Sequence, residues 1–185
     1  MPKIIAVVGM PGSGKSEAIA YLNKQYHWPK VYLGEAIFDE MNRRDLERTQ
    51  ANERMVRENL RNLYGEDYCA KEVIKKIDIL GDVPIILVES LYSAAEYRTL
   101  RERFGDDLLI IAVHTYPEMR HARLAIRPER PLNKEEAEER DWAQLNRLTQ
   151  GTPIALADFM IVNEGSKEEL DKQLDTVVTK IESKI

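Results

Sequence analysis

The chain alternates between short apolar runs and longer stretches in which apolar residues recur at helical spacing. Lys3 to Val8 is a continuous, mostly β-branched run and predicts a strand buried on both faces. Glu17 to Tyr26 predicts a helix, and Val31 to Leu33 a short second strand ending at Gly34. From Glu35 to about Leu80 the pattern is helical. Within it, Met55, Val56, Leu60 and Leu63 keep close to a helical period, and Gly65 supplies a stop. Val83 to Val88 predicts a third strand, opened at its edge by Pro84. Ser93 to Phe104 predicts a helix stopped by Gly105, and Leu108 to Val113 a fourth strand. Pro117 opens a helix, because proline suits the first helical turn. The prolines between Arg127 and Leu132 require a loop. Asn133 with Glu136, and Ser166 with Glu169, are capping-box signatures, the second opening a C-terminal helix to about Ser183. Asp158 to Val162 is the last predicted strand. Strands separated by helices pair in parallel through right-handed crossovers. The expected fold is therefore a three-layer α/β domain over residues 1–185 with a parallel sheet of about five strands.

Composition narrows the function classes. Basic residues number 27 against 32 acidic, a net charge of −5. Chains that live on duplex nucleic acid are usually basic, so this balance argues against nucleic acid as the main partner. No apolar run approaches the ~20 residues that span a bilayer, which argues against a membrane. The start, Met1-Pro2-Lys3 before a short apolar run, lacks the length and cleavage site of a signal peptide. Cys69 stands alone, which excludes an intramolecular disulfide and gives no cysteine-based zinc site. The expectation is a cytoplasmic chain that acts on small molecules.

The strongest chemical signal is Gly9-Met10-Pro11-Gly12-Ser13-Gly14-Lys15-Ser16, which fits G-x-x-x-x-G-K-[ST] between a predicted strand and a predicted helix. Glycines let such a loop bend its amides around phosphate oxygens, and the start of the helix adds its positive end. Lys15 is expected to reach the β/γ-phosphates and Ser16 to place its hydroxyl on Mg²⁺. Gly9, Pro11, Gly12, Ser13 and Gly14 complete the cradle. Glu89 closes the third strand, at the position where such proteins hold the metal's water or orient the attacking group.

Arg120, Arg123 and Arg127 follow at i, i+3 and i+7 on one helix, with Arg130 in the next loop and Arg140 beyond it. Guanidinium groups stabilise charge on a transferring phosphoryl group, and a mobile arm carrying them excludes water. A solvated face paired with Glu118, Glu129 and the acids from Glu135 to Glu139 is the bland alternative for each arginine. His114 at a strand end is expected to be structural, and His27 and His121 have no metal-ligand spacing.

Over nearly its whole length the chain resembles the P-loop nucleotide kinase superfamily, and within it the adenylate-kinase-related, dephospho-CoA kinase-like family. The likeness lies in Gly9 to Ser16 and in Gly34-Glu35-Ala36-Ile37-Phe38. It extends to Leu60-Arg61 with Tyr64-Gly65, to Glu89-Ser90-Leu91-Tyr92-Ser93, and to Arg120-His121-Ala122-Arg123-Leu124 with Arg127. Ile154 to Ser166 is similar to the Ala-Asp-x-x-Ile-x-Asn-x-Gly stretch of dephospho-CoA kinases. The resemblance implies that Asn163 and Gly165 lie near the adenine of ATP, that residues 35–82 form a helical acceptor side, and that residues 117–148 form a lid. It implies arginines at 38 and 92 gripping the acceptor's phosphate, where this chain has Phe38 and Tyr92. Glu35 and Glu89 stand where the family has aspartate.

The resulting expectation is an Mg·ATP-dependent kinase acting on a small nucleotide-like acceptor. Lys15, Arg123, Arg127, Glu35 and Glu89 are its candidate catalytic residues, and Ser16 and Glu89 its metal side. The alternative is an ATP-binding regulatory or accessory protein without a small-molecule acceptor, motivated by the two missing arginines.

Overall fold

The structure is a computed structural model and describes residues 2–128 and 131–183. Five strands form one parallel sheet: β1 (Lys3–Val8), β2 (Lys30–Tyr32), β3 (Ile85–Glu89), β4 (Leu108–His114) and β5 (Phe159–Val162), in the order β2-β3-β1-β4-β5. The three-layer α/β expectation holds. β1 is central because its residues are apolar on both sides. Ile4, Ala6 and Val8 join one core, and Ile5 and Val7 join the other.

The helix α1 (Lys15–Tyr26) and the C-terminal helix α9 (Lys167–Glu182) cover one face, burying Ala18, Ile19, Leu22, Leu170, Leu174 and Val178. The opposite face carries α2 (Glu35–Arg43), α3 (Gln50–Tyr64), α4 (Tyr68–Ile79) and α5 (Ala94–Phe104). Thus the long helical stretch after Gly34 resolves into three helices. Gly65 ends α3 as expected, with φ +102, a conformation that costs a Cβ-bearing residue more.

The remaining helices are α6 (Pro117–Ile126), α7 (Lys134–Asn146) and the short α8 (Gly151–Ala155). Both predicted capping boxes form, at Asn133/Glu136 and Ser166/Glu169. Ser93/Glu96 forms a third, which the residue pattern also contains. α8 was not expected, since five residues are too few to display a helical period. Pro84 precedes β3 rather than opening it, so its missing N–H removes no ladder bond, and its carbonyl accepts from Lys3 N at 2.9 Å. β3 is interior, not an edge strand. Among the described residues, no helix is long and apolar enough to cross a membrane.

Candidate active site

The sheet order places the loop after β1 at the point where the chain's path reverses, with β3 on one side and β4 on the other. Ligands of open α/β sheets bind at such points. The Gly9–Ser16 loop runs from β1 into α1, which starts at Lys15. Gly14 sits in the left-handed region with φ +95, and a Cβ there would collide with the Asn163 side chain. At Gly12, φ +79, a Cβ would come within 2.6 Å of the Arg120 carbonyl. Both positions therefore demand glycine on two counts.

Alternate carbonyls of the loop are held from outside. Gln150 Nε2 donates to the Gly9 carbonyl at 2.9 Å, and Arg120 Nη1 to the Pro11 carbonyl at 3.0 Å. The Ser13 carbonyl accepts from Asn163 Nδ2 at 2.8 Å and from the Thr115 hydroxyl at 3.1 Å. Gln150, Arg120, Thr115 and Asn163 are all buried. With its carbonyls fixed this way, the loop leaves the first amides of α1, which have no acceptor inside the helix, for an anion. Ser13 Oγ is buried and has no protein partner, a second vacancy that a polyphosphate oxygen fits.

Lys15 lies beside this cradle. Burial, and then the nearby Arg140, Arg120 and Arg127, lower its pKa from 10.5 to about 8, while Glu89 pulls the other way. Its ammonium stands 6.0 Å from the centre of the Tyr92 ring. Glu89 pairs in register with Val7 of β1 and lies 3.4 Å from Lys30 Nζ. Ser16 is exposed in the first turn of α1. Lys15 and the arginines that act on it electrostatically, Arg140 and Arg127, outnumber Glu89, which suits the site to negative charge. Ser16 and Glu89 are the residues that could hold a metal, through a hydroxyl and an intervening water. No cluster of three or more His, Cys, Asp or Glu side chains that could hold a metal ion exists among the described residues.

The expected arginine cluster divides. Arg120 is 4 % exposed and bidentate to Asp141 of α7, at 2.8 and 2.7 Å. It pins the loop and is part of the scaffold. Arg123 donates to the Asn163 carbonyl at 3.1 Å and the Thr115 hydroxyl at 3.3 Å. With Gly14, Asn163, Gly165 and Lys167 it lines an open groove beside the loop. Arg127 ends α6 and acts electrostatically on Lys15, as does Arg140. Arg130 lies outside the described residues. Arg140 Nε is buried without an acceptor. Spacing along α6 did not separate these roles, because the partners that decide them come from α7, the loop and β5.

A second, narrow pocket lies between the sheet edge and α3. Tyr32, Phe38, Tyr92, Ser90, Arg57 and Arg61 are among its lining. Glu35 is not among them. Its carboxylate is ion-paired to Lys76 at 2.8 Å and half exposed, so the structure does not bring it to the other candidates. Ser90, directly after Glu89, has a positive φ of 71°, a strained conformation for serine. Arg57, Gln150 and Thr115 were missed from sequence. Only Arg57 left a signal, its i, i+4 spacing from Arg61.

The AAA domain family matches residues 8–141, from the end of β1 into α7. A UPF0200 protein of Thermococcus gammatolerans is 39 % identical over 182 residues, covering 96 % of this chain and 95 % of its own. The chain belongs to the AAA domain family and is one of the UPF0200 proteins. This UPF0200 chain shares its fold with TT1252 from Thermus thermophilus, at TM-score 0.70, 22 % identity and 97 % coverage of both chains. A shikimate kinase from Bacteroides thetaiotaomicron superposes at TM-score 0.61 with 13 % identity, covering 97 % of this chain and 98 % of its own. The UPF0200 fold is thus that of the P-loop kinases.

Proposed function

We propose that this UPF0200 protein is an Mg·ATP-dependent phosphotransferase acting on a small nucleotide-like acceptor, of the dephospho-CoA kinase or nucleoside monophosphate kinase kind. The observation that carries this is the glycine loop, its carbonyls held by Gln150, Arg120 and Asn163 and its Ser13 Oγ buried without a protein partner, with Lys15 beside it.

Mg·ATP supplies the transferable phosphoryl group and the charge that these cations answer. The loop amides and Lys15 bind the phosphates. Ser16 would ligate the metal, and Glu89 would hold its water or accept a proton from an acceptor hydroxyl. Arg127 and Arg140 would stabilise charge on the transferring group, and Arg123, Asn163 and Gly165 line the groove that would take the adenine. Residues 117–148 serve as a lid held against the glycine loop through Arg120, excluding water, and residues 35–82 as the acceptor side.

The test is ADP formation from Mg·ATP with and without nucleoside monophosphates, dephospho-CoA and nucleosides, with Lys15→Ala as the blank. Stimulation of at least about tenfold by one acceptor is expected, which is about 1.4 kcal/mol of barrier. ATP binding without stimulation by any acceptor overturns the proposal in favour of a nucleotide-binding accessory protein.

A further inference from the structure

Thr115, the residue after β4, holds one hydroxyl proton between two carbonyls. Its Oγ1 lies 3.1 Å from the Ser13 carbonyl of the glycine loop and 2.9 Å from the Asn163 carbonyl, and Thr115 is 2 % exposed. A hydroxyl has a single proton to donate and rotates to choose its acceptor, so one of the two carbonyls always goes without it. Each has one other donor among the described residues. Asn163 Nδ2 donates to the Ser13 carbonyl at 2.8 Å, and Arg123 Nη2 to the Asn163 carbonyl at 3.1 Å. Arg123 Nη1 also donates to the Thr115 hydroxyl at 3.3 Å. With Arg123 serving Asn163, the Thr115 proton is left for Ser13.

The Asn163 carbonyl therefore depends on Arg123, and Arg123 is the arginine of α6 with most to gain by moving. Arg120, one turn earlier, is bound to a carboxylate, whereas the acceptors of Arg123 are a neutral carbonyl and a neutral hydroxyl. Arg123 lines the open groove beside the loop. Hydrogen bonds to a charged acceptor are about twice as strong as those between neutral groups, so a polyphosphate in the groove draws this guanidinium away. Its departure strands a carbonyl in a residue only 7 % exposed, unless the Thr115 proton turns to it. The Ser13 carbonyl tolerates that turn, because Asn163 Nδ2 still serves it.

We propose that Thr115 is a positioning residue that takes over the Asn163 carbonyl when Arg123 is drawn to an anionic ligand. The ligand gains Arg123 without leaving a buried acceptor empty. That the anion is the phosphates of Mg·ATP rests on the phosphotransferase reading, whereas the exchange of donors rests on Thr115, Arg123 and Asn163 alone.

Two double-variant cycles on the full chain test this. Without ligand, urea unfolding compares Thr115→Val in the wild-type and Arg123→Ala backgrounds. In the wild type the change leaves each carbonyl one donor. Beside Arg123→Ala it leaves the Asn163 carbonyl none, and the unfolding equilibrium constant is expected to change at least about tenfold more. With ligand, calorimetry follows Mg·ATP. Thr115→Val is expected to weaken binding at least about fivefold in the wild type and less than about twofold beside Arg123→Ala, with Thr115→Ser restoring the wild-type affinity. A hydroxyl that only braces the loop predicts the same loss in both backgrounds. Equal losses in either cycle, or a Thr115→Ser that binds as weakly as Thr115→Val, overturns the proposal. Where the doubly altered chain does not fold, the Mg·ATP affinities of Thr115→Val and Thr115→Ser alone decide it. Absence of Lys15-dependent Mg·ATP binding by the wild type overturns the phosphotransferase reading instead, and the unfolding cycle then decides the exchange of donors.

Discussion

Lys15 illustrates how much one residue's chemistry depends on its neighbours. Burial and three arginines hold its ammonium at a pKa of about 8 against the ordinary 10.5. In the unfolded chain the proton is bound more tightly, so between about pH 8 and 10.5 the free protein gains stability as pH rises. Below that window the buried charge costs up to about 3 kcal/mol, which a bound polyphosphate removes. Nucleotide binding near pH 8.5 is therefore expected to take up protons, roughly half of one or more per site. Calorimetry in two buffers of different ionisation enthalpy measures this, with Lys15→Met as the control. Heats that agree between the buffers would sink the assignment of this lysine to the phosphates. The motif identified Lys15, but its lowered pKa depends on burial first and then on Arg140 and Arg127, which lie more than a hundred residues away along the chain.

Among the elements, α6 and α7 are locked to each other and to the glycine loop. Arg120 of α6 bridges Asp141 of α7 and the Pro11 carbonyl, and His121 adds a contact to Asp141 at 3.0 Å. Burial pushes the Asp141 carboxyl up, but the hydrogen bonds from Arg120 and His121 outweigh it and hold it below its ordinary range. Stability from this group is present above about pH 4 and is lost as pH falls. Arg120→Ala leaves the half-buried Asp141 carboxylate with His121 alone and the Pro11 carbonyl without its Arg120 donor, and is expected to cost about 3–5 kcal/mol, read as a lower urea midpoint. A loss under about 1 kcal/mol would mean that the pair is not part of the scaffold. The helix itself was legible, because Pro117 marks its start and the two prolines from Pro128 to Pro131 its end. The division of its arginines was not, because spacing reports a shared face but not the partner across it. At the β5 edge of the sheet, the Gln173 carboxamide accepts from Val162 N and donates to Val162 O, covering part of that edge strand.

For the whole molecule, the strand order decides what meets what. β3 delivers Glu89 to one side of the glycine loop. β4 and β5 deliver Thr115 and Asn163 to the other. A ligand that bridges these parts stabilises the folded chain as a unit. At a hundredfold excess over its Kd, Mg·ATP is expected to add about 2.7 kcal/mol. For a chain of this size that corresponds to a melting temperature higher by roughly 5–10 °C. Lys15→Ala should abolish the shift in differential scanning fluorimetry, and an unshifted wild-type protein would count against nucleotide binding at the loop.

The residue pattern by itself determined the strands, most helices, two of the caps and the phosphate loop. Each of these depends on contacts within about a dozen residues, where periodicity, glycine, proline and capping side chains act directly. Tertiary structure alone decided the remainder. It turned Arg120 inward and set Gln150, Thr115 and Asn163 on the loop's carbonyls. It paired Glu35 with Lys76 and brought Arg57 to the second pocket. Those outcomes depend on which segments the parallel crossovers place side by side, and side-chain type and spacing along one segment carry no record of the partner on another.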